Sequence, residues 1–279
     1  MKYYRLFHFL SLDLVAGALG FSCFAARVFR ASPGWAWWPF LAVTVWLVYM
    51  SGQLMDAWRH RKTSNREIHR FINKNRRVLL WSLGIASGAD LLLIGNFLDR
   101  SILAPAAVLA ALVLLYYGVR HLLRQNRIFF IPGEIFVVLV FMAGTWMGPL
   151  LTRSGELTGQ HGMMTLMAGL VLFMNLGIIS LYDTHLEKRM GIDSMARVLS
   201  KQTIVSIIWV TAVMIFVLLL MQFLIYGMDR YSMFGVILAG MALILLVILL
   251  LPSYFNRNRY YRMAADVVLI MGFLSLLVP

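Results

Sequence analysis

Three short polar segments carry the side chains able to do chemistry in an otherwise apolar chain. The first is Asp183-Thr184-His185-Leu186-Glu187-Lys188-Arg189. Asp183 and Glu187 are four residues apart, so on a helix they share a face about one turn apart. Lys188 and Arg189 follow at once, and Gly191 is a natural helix stop. Paired carboxylates beside cations are the ingredients of a magnesium-diphosphate site, where a hard cation is shared between carboxylates and phosphate oxygens and basic side chains take the remaining phosphate charge. The same residues also suit a solvated helix end with an acidic pair and basic neighbours. The second segment places Asp56 ahead of Arg59 and His60 and continues basic to Arg77; a loop of this kind also suits lipid headgroups. The third, Tyr116-Tyr117-Gly118-Val119-Arg120-His121, reads equally as an interfacial anchor.

The elements that must position these segments are membrane helices. Hydrophobic residues make up 61% of the chain and charged residues 13%, with a mean hydropathy of +0.79. Soluble domains hold about 45–50% apolar and about 25% charged residues, so the excess must face lipid. Stretches approaching the roughly 20 residues that a span requires occur at Phe7–Val28, Trp35–Met55, Val78–Phe97, Ile102–Leu122, Ile135–Leu151, Met163–Tyr182, Thr203–Ile225, Met233–Leu251 and Met263–Val278. The fold expected is an all-α transmembrane bundle of about nine helices, a single polytopic domain over residues 1–279. With the N-terminus cytoplasmic, the N-tail and the loops after the second, fourth, sixth and eighth spans hold 20 of the 25 Lys and Arg residues. The other side keeps Arg27, Arg30, Arg100, Arg153 and Arg230. That asymmetry orients the chain and puts the C-terminus outside and all three polar segments inside. The net charge of +13 then belongs beside anionic lipid rather than nucleic acid. The single cysteine, Cys23, allows no internal disulfide.

Taken together, these features resemble the UbiA-type intramembrane prenyltransferases, with nine helices and aspartate-rich motifs after helices two and six. Asp183-Thr184-His185-Leu186-Glu187-Lys188-Arg189-Met190-Gly191 resembles the second motif, with Glu187 for its second aspartate. The first motif is degraded: Ser51 and Gly52 stand where Asn and Asp belong, and Asp56 survives. Tyr117-Gly118-Val119-Arg120 resembles a Tyr-x-x-Lys element that contacts diphosphate. The resemblance implies magnesium on Asp56, Asp183 and Glu187. It implies a diphosphate held by Arg59, His60, Tyr117, Arg120, Lys188 and Arg189, and a pocket walled by Tyr49, Asn175 and Tyr182. The implied substrates are a prenyl diphosphate and a lipophilic or aromatic acceptor, and the implied location is a bacterial inner membrane with its active face cytoplasmic. The lost acids leave a second expectation, a catalytically impaired relative that binds a lipid or a partner protein. A transporter is supported only by the intramembrane acids Asp13, Asp90 and Asp266. Such acids face a cavity or a partner; pairing is the expected role here, with Arg262 within reach of Asp266.

Overall fold

The structure is a computed structural model that describes residues 2–59, 67–123, 133–190, 194–256 and 260–279, with side chains outside the description at 2–5, 59, 67, 117, 119–123 and 185–190. The described residues form helices and no strands: α1 (Lys2–Phe9), α2 (Leu12–Val28), α3 (Trp37–Arg59), α4 (Glu67–Lys74), α5 (Arg76–Asn96), α6 (Arg100–Leu123), α7 (Gly133–Leu151), α8 (Gly159–Met190), α9 (Met195–Val198), α10 (Lys201–Tyr226), α11 (Arg230–Leu250), α12 (Pro252–Phe255) and α13 (Tyr260–Ile270), the last continued by a 3-10 helix, Met271–Leu277. Seven are long and apolar enough to cross a membrane: α3, α5, α7, α8, α10, α11 and the combined Tyr260–Leu277 segment. The protein is an all-α, multi-pass membrane bundle.

The two remaining apolar stretches also lie on helix, with local departures. Phe7–Val28 is divided where Ser11 takes a left-handed conformation (φ 56°) between α1 and α2. Ile102–Leu122 lies in α6, which accommodates Pro105 within its second turn. At the opposite kind of boundary, Gly227 (φ 72°) ends α10, and Asp229 caps α11 by accepting from the Ser232 N–H at 2.8 Å.

The interior is built around α8 and α11, about half buried over their apolar windows, whereas α5 is 11% buried. Trp81, Ile85, Leu91 and Leu92 of α5 are exposed, as suits a helix whose solvent is hydrocarbon. α2 packs against α3, α7, α13 and the 3-10 segment. Its approach to that segment is set by glycines: a Cβ on Gly272 would stand 2.4 Å from the Gly20 carbonyl oxygen. With little hydrophobic drive between helices in lipid, such close backbone contact supplies the packing. Trp37 uses the same device, lying where a Cβ on Gly148 would sit and donating its indole N–H to Ser22 Oγ at 2.9 Å.

Polar side chains gather at the two ends of the bundle. At the end reached by the C-terminus, Arg27 donates to the carbonyls of Ser275 and Val278, satisfying the last turn, and Arg230 donates to the Arg27 carbonyl at 3.1 Å. Asp229 accepts there from Gln160 and Gln222. At the other end, Trp46 donates to the Leu10 carbonyl and Gln53 to Ser11 Oγ. This second end holds the C-terminal ends of α3, α6 and α8.

Candidate functional site

The last turns of α8 follow the expected face. Asn175 and Asp183 are 1% and 4% exposed; they point inward because the 3.6-residue repeat aligns them with the packed side of α8. What they meet is another helix. Asn175 donates its amide to the Ala265 carbonyl at 2.6 Å. Tyr182 stacks on Tyr261, with ring centroids 4.6 Å apart, and donates its hydroxyl to the Ile248 carbonyl at 2.7 Å. Asp183 accepts from the Tyr261 hydroxyl at 2.7 Å on one oxygen and from two nitrogens of Arg262 on the other. The three α8 residues expected to form a pocket and a metal site thus tie α8 to α11 and α13.

One turn further along α13 the network continues. His8 Nδ1 lies 2.5 Å from Asp13 Oδ2 and 3.8 Å from Asp266 Oδ2. Asp13 Oδ1 accepts from the Leu14 N–H at 3.0 Å. Asp13 and Asp266 are buried, so the bundle holds two carboxylates together at one end. The expected Arg262–Asp266 pairing is replaced: Arg262 places its hydrogen bonds on Asp183, and Asp266 lies with Asp13 and His8 instead. Asp183 takes both Arg262 nitrogens on one oxygen and the Tyr261 hydroxyl on the other, so one carboxylate from α8 satisfies two adjacent donors of α13. Nearby, buried Glu134 of α7 accepts from the Met195 N–H at 2.8 Å, and Ser180 accepts from the Ala196 N–H. These bonds hold the turn of α9 under α8.

The remaining candidate residues are not gathered into this network. Asp56 is exposed on α3, and Tyr49 is half-buried on the same helix. α3 packs on α2, α4 and α5, while α8 packs on α7, α10, α11 and α13, with α7 touching both. His60 lies outside the described residues. Arg59, Tyr117, Arg120, Glu187, Lys188 and Arg189 have described backbones at the ends of α3, α6 and α8, but their side chains lie outside the description. Asp90, which has no partner evident in the sequence, accepts from Thr44 Oγ1 at 2.9 Å across α3 and α5.

Asp183 takes donors on both oxygens and its charge is already matched by the Arg262 guanidinium. The described carboxylates of the expected magnesium set therefore do not fit magnesium as they stand: one is paired with a guanidinium, the other is exposed on α3. Sequence reasoning had no local signal for Tyr261 and Arg262 as partners of Asp183, or for His8 beside Asp13 and Asp266. The general rule that an intramembrane acid must find a partner was the signal available. No family model matches the chain, and neither a curated protein nor a solved structure matches it significantly.

Proposed function

We propose that this chain is a UbiA-type membrane protein that crosses the bilayer nine times and acts on a prenyl diphosphate at the end where α3, α6 and α8 terminate. The observation that carries the reading is the coincidence at one end of the bundle of those three polar termini with the buried Asp183–Arg262 pair. The N-terminus and the loops at this end are assigned to the cytoplasm by their excess of Lys and Arg. In the reaction, the bond between prenyl C1 and the diphosphate oxygen breaks and its electron pair leaves with the diphosphate. The acceptor then forms a bond to C1 and loses a proton. Arg59, Arg120, Lys188 and Arg189, with His60 and Tyr117, would take the charge of the departing group. Because Asp183 is committed to Tyr261 and Arg262, these basic side chains carry the neutralisation.

A second reading is favoured by that same commitment. An acid satisfied by an arginine and a tyrosine is a structural strut, and a chain that uses it so would bind a lipid or a partner protein without turnover. The experiment is to incubate the purified, reconstituted protein with magnesium, labelled prenyl diphosphates of several lengths and a lipophilic acceptor extract. Prenyl transfer that is lost in Glu187→Gln establishes the first reading. Saturable binding without transfer establishes the second. Absence of both sinks the assignment.

A further inference from the structure

We infer that His8, Asp13 and Asp266 form a binding site for a divalent transition-metal cation, zinc being the best fit, separate from the proposed diphosphate end of α8. The three ligand atoms come from the adjacent α1 and α2 and from the distant α13, and all lie within 4.8 Å of one another. Zinc binds imidazole and carboxylate ligands at about 2.0–2.2 Å in a tetrahedral array, which places neighbouring ligand atoms about 3.4 Å apart. The His8 distances of 2.5 Å to Asp13 and 3.8 Å to Asp266 straddle that spacing. With the Asp13–Asp266 separation also within 4.8 Å, shifts of about 1.4 Å or less meet it.

Charge points the same way. Among the described residues, the groups facing one another at this end are His8, Asp13, Asp183, Tyr261, Arg262 and Asp266. Arg262 is matched to Asp183 by two N–H groups on its Oδ2, which leaves Asp13 and Asp266 as two carboxylates of side-chain exposure 3% and 8%. Buried carboxylates repel unless a proton or a cation lies between them. A dication on two carboxylates and a neutral imidazole closes the balance to zero. The ligand atoms are also held. Asp13 Oδ1 accepts from the Leu14 N–H, which turns Oδ2 toward His8, and outer bonds of this sort orient metal ligands. The His8 side chain is 26% exposed. It gives the ion a way in and leaves a fourth position for water, the arrangement of an open zinc site.

The test uses the full-length protein in detergent, stripped with chelator and titrated with cobalt(II) as a spectroscopic substitute for zinc. One equivalent of cobalt with the intense visible bands of a tetrahedral site is expected, displaced by zinc. His8→Gln and Asp266→Asn each weaken binding at least about 100-fold, more than the loss of an outer-shell partner does. Glu187→Gln leaves cobalt binding unchanged, so this site and the proposed diphosphate site succeed or fail separately. Should Asp266→Asn fail to fold, His8→Gln alone decides, since its ring is partly exposed and caps the cluster. Absence of bound cobalt in the wild type, or cobalt spectra unaffected by His8→Gln, overturns the assignment.

Discussion

Replacing Arg262 by Met tests whether the Asp183 network holds the end of the bundle together. The guanidinium meets Asp183 through two nitrogens, with side-chain exposures of 30% for Arg262 and 3% for Asp183. Removing one partner from a buried pair costs about 3–5 kcal/mol because the other charge is stranded. The partial exposure of Arg262 places Arg262→Met at the lower end, about 3 kcal/mol. Asp183→Asn keeps an acceptor for the Tyr261 hydroxyl and strands only the more exposed partner, so about 2 kcal/mol is expected. The double variant strands neither charge and should cost about 2 kcal/mol rather than the additive sum of about 5. The coupling of about 3 kcal/mol is read from unfolding in mixed micelles by circular dichroism, at one protein concentration and temperature. Additivity within about 0.5 kcal/mol would show that the two side chains do not depend on each other, and the strut would be refuted.

Asp229 gives a pH-dependent counterpart at the opposite end. Burial pushes its carboxyl up, but the Ser232 N–H and hydroxyl and the amides of Gln160 and Gln222 outweigh that and hold it below the ordinary 3.8. A depressed pKa contributes stability that is complete above the unfolded value and is lost as pH falls through the folded one. Asp229→Ala should therefore cost about 2 kcal/mol at pH 7, from the lost cap and the stranded amide of fully buried Gln222. The gap to wild type should narrow only below about pH 3.8 in an acid titration of unfolding. Gly272→Ala drives a Cβ into the Gly20 backbone and should cost about 3 kcal/mol. Gly240→Ala, with nothing within 4 Å, should cost nothing in the same melt. For topology, a Cys23→Ser background carrying Ser101→Cys should react with an impermeant maleimide from outside, and Lys74→Cys only after permeabilisation; labelling of both from one side refutes the nine-crossing count.

The nine long stretches were legible because each is a contiguous apolar run, a property of neighbouring residues; α4 (Glu67–Lys74) has no such run and lies in the segment read as a basic loop. All nine predicted stretches overlap helix, and the alignment of Asn175 with Asp183 followed from helical period alone. The interruption at Ser11 was not legible, since nothing in Leu10-Ser11-Leu12 forbids a continuous helix; the left-handed turn there brings His8 back over Asp13. Partner choice was the deeper gap. Arg262 has an acid four residues away on its own helix, and local geometry selects Asp266. The fold offers Asp183 from α8 instead, with one oxygen taking both Arg262 nitrogens and the other held by the Tyr261 hydroxyl.

That exchange determines what the acids at this end can do. Had Arg262 taken Asp266, Asp183 would have kept only the Tyr261 hydroxyl, and Asp13 would have kept His8 alone. With Arg262 on Asp183, the α8 acid becomes a strut and the unbalanced charge moves to Asp13 and Asp266. One guanidinium thus decides which pair of carboxylates is left in need of a cation. The residues that best match a known motif and the acids gathered around His8 are therefore different sets. Arg262→Met, by releasing Asp183, should make α8 the stronger cation site of the two, and cobalt titration of that variant measures the exchange directly: a second equivalent bound, abolished by adding Asp183→Asn, is the expected result. A single equivalent with unchanged spectrum would show that Arg262 does not control access to Asp183.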